Sequence, residues 1–236
     1  MPLRRYSAVH RILITVGFLG FTALPADAQT PPTEQEIAAY TGLHAAAASG
    51  STAEVERQVR AGADIHARDG FGRTPLMVAA YRRDVPVARA LIEAGANVNA
   101  LENRSYDVVT IAAVLNDLDM LQLAILSGGN PRAITSPYGG TALIAAAHLG
   151  HVEIVQALVA AAAPLDHINN LGMTALIEAI VLGDGGPRHQ ATVGALVRAG
   201  ANVNLADAHG TTPLALARQR GLANIVRTLE QAGAKQ

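Results

Sequence analysis

Residues 69–77 read Asp-Gly-Phe-Gly-Arg-Thr-Pro-Leu-Met, and the tetrad Thr74-Pro75-Leu76-Met77 within them returns along the chain. Upstream it takes the form Thr41-Gly42-Leu43-His44. Downstream it becomes Asp107-Val108-Val109-Thr110, Thr141-Ala142-Leu143-Ile144, Thr174-Ala175-Leu176-Ile177 and Thr212-Pro213-Leu214-Ala215. The steps between tetrads are 33, 33, 34, 33 and 38 residues, a period that marks a stacked repeat. A second landmark holds the register. Ala61-Gly62-Ala63, Ala94-Gly95-Ala96, Ser127-Gly128-Gly129 and Ala161-Ala162-Ala163 each begin twenty residues after a tetrad start. After five extra residues, Ala199-Gly200-Ala201 follows, and Ala232-Gly233-Ala234 closes the series.

Each unit reads as two short helices. A threonine at the tetrad start accepts from the backbone of the first turn, and proline at the next position loses nothing by lacking an N–H. That helix ends near a glycine, as at Gly50 or Gly150. The second helix carries an apolar stripe, as in Val152-Glu153-Ile154-Val155-Gln156-Ala157-Leu158-Val159, and ends at the second glycine in the left-handed conformation. Two columns of core follow: Val55, Ala88, Leu121, Val155, Val193 and Val226, then Leu91, Ala124, Leu158, Leu196 and Leu229, with Gln58 as the first unit's departure. No unit can bury both its faces alone, so each completes its neighbour's core. Only 3% of residues are aromatic, which excludes an aromatic-centred core and suits close stacking of small side chains.

The period, the tetrads, Asn97-Val98-Asn99, Asn202-Val203-Asn204 and the stretch Asp69–Leu76 together resemble the ankyrin repeat family over about residues 41–234. The resemblance implies an all-α solenoid of about six helix-turn-helix units with short β-hairpin-like loops, units starting near 41, 74, 107, 141, 174 and 212, and a domain spanning 34–236. It also implies non-catalytic recognition of a protein partner on the concave face and hairpin tips. Exported bacterial members of the family suggest a narrower role, support of an antioxidant enzyme such as catalase.

Departures from the pattern are informative. Asp107 replaces threonine but can still cap. Ala162 stands where glycine belongs, and left-handed alanine costs about 1 kcal/mol or more, so that helix is expected to end differently. Gly183-Asp184-Gly185-Gly186-Pro187 reads as a flexible surface loop. Thr33-Glu34-Gln35-Glu36 and Ser51-Thr52-Ala53-Glu54 are capping boxes. With Gly42 in place of proline, the first helix is expected to begin near Glu34 and run through the tetrad.

The N-terminus reads as a signal peptide, residues 1–28. Arg4, Arg5 and Arg11 precede the apolar run Ile12 to Leu24, and Ala26-Asp27-Ala28 places cleavage before Gln29. Thirteen apolar residues make about 20 Å of helix, short of a roughly 30 Å hydrocarbon core. Residues 29–33 then form a linker. The expectation is export to a bacterial periplasm, with secretion or an inner-membrane anchor as alternatives, and no membrane association after cleavage. Removing three arginines and one aspartate moves the formal charge from −1 to −3, which excludes a basic nucleic-acid footprint. The chain has no cysteine, so disulfides and thiol chemistry are excluded.

Catalytic constellations do not emerge. His148 and His151 lie three apart without a supporting ligand, so neither a metal nor any other cofactor is expected. His44 reads as a hydrogen-bonded structural residue. His66, His167, His189 and His209 are assigned to loops and form no triad with a serine and an acid. Glu54/Glu56 and Asp117/Asp119 read as solvated faces, and one carboxylate at Asp184 is too few oxygens for calcium. The sharper signal is at the hairpin tips. Phe71, Arg104, Tyr138, Leu171 and His209 lie three residues before a tetrad, and Arg73, Tyr106 and Met173 lie one before. Aromatic, Met and Arg side chains on aligned loops resemble interface anchors. Phe71, Tyr138 and Leu171 could equally fold inward to seal neighbouring turns. The chain is expected to act as a monomer.

Overall fold

The computed structural model describes residues 31–235, and the expected export segment lies outside them. The described residues fold as helices joined by turns, with no strand. A leading helix α1 (Glu34–Ala39) precedes six pairs. These are α2 (Gly42–Ser49) with α3 (Thr52–Arg60), α4 (Pro75–Tyr81) with α5 (Val85–Glu93), and α6 (Val108–Leu115) with α7 (Leu118–Leu126). Then come α8 (Ala142–Leu149) with α9 (Val152–Ala160), α10 (Ala175–Val181) with α11 (Pro187–Arg198), and α12 (Pro213–Gln219) with α13 (Ala223–Gln231). First helices stack in the order α2, α4, α6, α8, α10, α12, and second helices in the order α3, α5, α7, α9, α11, α13. The segments beginning at Thr74, Thr141 and Thr174 therefore share one shape and sit in sequence order. Among the described residues no helix is long and apolar enough to cross a membrane.

Tetrad chemistry works as the residues imply except at Thr41, whose side chain makes no cap bond. Thr74, Thr141, Thr174 and Thr212 accept at their side-chain oxygens from the N–H three residues on, and Asp107 does the same from Thr110 at 2.8 Å. The first core column is fully buried from Val55 through Val193 and half-buried at Val226; the second is fully buried throughout. A fully buried Leu or Val contributes roughly 1.5–3 kcal/mol over exposure, and here that burial exists only because a neighbouring pair covers it.

Four expectations need correction. The first helix does not run from Glu34 through the tetrad. It breaks at Tyr40–Thr41, where Gly42 takes φ +56°. The Thr33 box on α1 is complete, but at Ser51 only half forms, because Glu54 turns to Arg57 and Gln58. His189 is not in a loop: the insertion of unit five ends at Pro187, which starts α11, and His189 is buried in its first turn.

The fourth concerns Ala162. Its helix ends like the others, with Ala162 itself left-handed at φ +61°, where Gly62, Gly95, Gly128, Gly200 and Gly233 lie between +80° and +99°. Neighbouring packing imposes the shared ending; for example, Arg132 donates to the Ala162 carbonyl at 2.9 Å. Relieving a left-handed alanine recovers about 1–2 kcal/mol, and the extra freedom of unfolded glycine takes back about 0.5–1. Ala162→Gly is therefore expected to stabilise the chain by up to about 1 kcal/mol, raising the thermal midpoint by about 2–4 °C. A lowered midpoint in calorimetry would contradict this account of the turn.

Candidate protein-binding surface

The loops between units are tight turns built around one acceptor side chain. Asp69 Oδ1 accepts from the N–H groups of Phe71 and Arg73, both at 2.9 Å. Glu102 serves Arg104 and Tyr106 in the same way, Ser136 serves Tyr138 and Gly140, Asn169 serves Leu171 and Met173, and Asp207 serves His209 and Thr211. A pair of backbone bonds closes each turn, as Gly72 N–H to Asp69 O and Asp69 N–H to Arg73 O. The sequence reading missed these five acceptors, although each stands five residues before its tetrad. The turns also dock on one another. Asn103 N–H donates to Phe71 O at 3.0 Å and Asn170 N–H to Tyr138 O at 2.8 Å. A Cβ on Gly72 would lie 2.3 Å from Asn103 Oδ1, so only glycine allows the next turn this close.

This geometry sorts the candidate residues. Positions three before a tetrad sit at the turn apex: Phe71 is 50% exposed, Arg104 and His209 are exposed, and Tyr138 and Leu171 are half-buried. Positions one before a tetrad point inward. Arg73, Tyr106 and Met173 are all buried, so the expectation of exposed tips does not hold for them. The reason lies in the stack: that residue sits just ahead of the N-cap of a first helix, where a neighbouring element reaches it, as α1 reaches Arg73 through Glu36. Three exposed apolar residues were missed, Leu101, Ile134 and Ile168 on the arms leading into the turns, with Ile134 58% exposed. An apolar residue one or two positions ahead of the turn acceptors Glu102, Ser136 and Asn169 was the available signal. On the opposite row of helices, Val85, Arg89, Asp119, Gln122, Leu123, Leu126 and Ser127 line a groove of about 460 Å³, beside which Leu126 stands 87% exposed.

Buried Arg73 organises the first turn. Its guanidinium pairs with Asp69 at 2.7 Å and Glu36 at 3.2 Å, and it lies 4.5 Å from the centre of the Phe71 ring. Tyr40 donates to the second Asp69 oxygen at 2.7 Å, and His44 Nε2 bonds the Arg73 carbonyl at 2.8 Å, the structural role read for His44. Burial drives the Asp69 carboxyl up. The Tyr40 hydroxyl, Arg73 and the N–H groups of the turn outweigh it and hold the group below the usual carboxylate range.

A second polar network lies between units four and five. Glu178 is buried in α10, where the other units carry Ala45, Val78, Ile111, Ala145 and Leu216. It accepts from Asn169 Nδ2 at 2.8 Å and faces His148 Nδ1 at 2.9 Å. His151 turns the other way and bonds the Ala113 carbonyl of unit three at 2.9 Å. The two histidines thus serve different neighbours, and among the described residues no group of three His, Asp or Glu side chains is placed to hold a metal ion. Asp117 is an N-cap, accepting from Met120 N–H at 3.0 Å.

Comparison with known proteins agrees with this architecture. The family model described as ankyrin repeats (3 copies) matches residues 43–123 and 109–207. The ankyrin repeat protein YahD of Escherichia coli (strain K12) is 46% identical over 86 residues, 36% of this chain; the match spans 43% of that relative's length. An ankyrin repeat domain from Acinetobacter baumannii AYE is 45% identical, with a TM-score of 0.78 over 82% of this chain and 98% of that one. The ankyrin repeat domain of Bcl-3, a member of the IkappaB family, is 29% identical, with a TM-score of 0.76 over 83% and 87%. Ankyrin repeats are a general protein-interaction fold. By profile, repeat geometry and stacking order, this chain belongs to the ankyrin repeat family.

Proposed function

We propose that this protein is a non-catalytic recognition scaffold that works as a monomer after export to the bacterial periplasm, binding a protein partner across its hairpin arms and concave face. The carrying observation is the set of apolar side chains left exposed at successive turns: Phe71, Leu101, Ile134 and Ile168. Turns held by paired side-chain and backbone bonds present these residues already ordered, so binding forgoes most of the entropy a mobile loop would lose. The cysteine-free chain and its N-terminal charge-then-apolar pattern support export. Among partner classes, the resemblance to exported bacterial members favours an antioxidant enzyme such as catalase.

Capture from periplasmic extract tests this reading. Phe71→Ala with Tyr138→Ala is expected to weaken capture roughly tenfold or more, as loss of aromatic anchors does. The thermal midpoint should fall by only a few degrees, because the Phe71 ring over Arg73 is worth about 1 kcal/mol. Leu126→Ala, on the opposite row, should leave capture unchanged. The reverse pattern would move the binding face to the outer helices. Capture without a haem protein removes the catalase assignment, and an intact mass that does not begin at Gln29 removes the cleaved, periplasmic form.

A further inference from the structure

The insertion that lengthens unit five does not behave as a slack loop. Gly183 is buried so tightly that a Cβ there would lie 2.3 Å from the Ala179 carbonyl and 2.4 Å from His189 Cδ2. Arg220 reaches back from unit six and donates to the carbonyls of Ile180, Val181 and Gly183. Gln190 Nε2 donates to Gly185 O at 2.8 Å, and Gly185 rests on the Leu222 side chain. Between these ties sits His189. Its Nε2 lies 2.9 Å from the His148 carbonyl, and its Nδ1 lies 2.7 Å from Asp184 Oδ1.

Those two contacts define the ring's protonation. A carbonyl oxygen only accepts, so Nε2 must carry hydrogen. Asp184 is exposed, and the Gly186 N–H and then His189 hold its carboxyl below the usual range, so it too only accepts. Nδ1 must then carry hydrogen as well. A neutral ring would set a lone pair against a carboxylate at 2.7 Å and keep only the Asp184 N–H, at 3.3 Å, as a partner for Nδ1. The closed loop thus requires the imidazolium.

We propose that residues 184–186 are a pH-operated latch: charged His189 holds Asp184 and the loop closed, and loss of the Nδ1 proton releases them while the Nε2 bond keeps α11 docked. Opening uncovers Leu222 at the boundary between units five and six, so that edge gains an apolar contact at higher pH. The titratable and charged groups on the elements around the ring are His148 on α8, which pairs with Glu178 on α10, His151 at the start of α9, Arg188 on α11, Asp184 in the loop and Arg220 after α12. Burial pushes the His151 imidazole down, the Ala113 carbonyl opposes this, and Arg188, His189 and Arg83 add to it.

Side-chain 15N shifts of His189 and amide protection factors at Gly185 and Gly186, followed from about pH 5 to about pH 9, test the latch on the full domain. The expected result is a tenfold or larger fall in protection that tracks loss of the Nδ1 proton. In Asp184→Asn, protection should already be low at acid pH and stay flat, with the remaining units unchanged. Protection that stays constant while His189 titrates, or a neutral His189 at acid pH beneath a closed loop, overturns the proposal.

Discussion

Arg73→Ala is expected to lower unfolding stability by about 3–5 kcal/mol, measured by urea denaturation at neutral pH. The substitution removes the cation shared by Asp69 and Glu36 and leaves the Asp69 carboxylate, 8% exposed, facing among the described residues the Tyr40 hydroxyl and the N–H groups of the turn. The loss should depend on pH in a definite sense. Asp69 and Glu36 both have carboxyls held below their ordinary values; burial raises each, and hydrogen bonds and Arg73 outweigh it. Such groups contribute stability that is present above their unfolded pKa and is lost as pH falls through the folded one. The gap between Arg73→Ala and the parent should therefore be widest near neutrality and shrink below about pH 4. Helix α1, which has no buried residue of its own, should lose amide protection first. A loss under 1 kcal/mol, or a gap independent of pH, would show that the network does not hold the first turn.

Much of this architecture is legible in the residues because repetition tests each reading several times. Thr74, Thr141, Thr174 and Thr212 cap as their chemistry implies, and leucines of the second column are buried wherever a neighbour covers them. The misreadings arise where the outcome depends on the adjacent unit. Nothing local distinguishes Arg73 from Phe71 two residues earlier. One lies under α1 and the other stands at the apex because a different part of the stack reaches each. Glycine density made residues 183–187 look slack, yet Pro187 was itself a helix-start signal that would have moved His189 from loop to buried first turn. Glu178 could have been found as the one carboxylate in a column otherwise apolar. Its partner Asn169, which replaces the acids at Asp69, Glu102 and Asp207, makes sense only beside it, since a second carboxylate there would repel.

A one-dimensional core also predicts how damage spreads. Leu143→Ala removes a fully buried side chain from α8, which is stacked between α6 and α10, and is expected to cost about 2–5 kcal/mol. The same truncation at Leu229, equally buried but in α13, deletes comparable contact yet among the described residues has a neighbouring unit on one side only. Stability in such an array is a sum of unit terms and nearest-neighbour interfaces. Leu143→Ala should thus weaken two interfaces at once and shift the urea midpoint of the whole domain. Leu229→Ala should instead release α12 and α13 early, leaving amide protection in α4 through α8 near its original level. Exchange measured peptide by peptide separates the cases, because the global midpoint alone would report only a smaller loss for the end unit. If both variants lower protection uniformly along the chain, the units are not independent, and the domain folds as one cooperative block in which position along the stack has no energetic meaning.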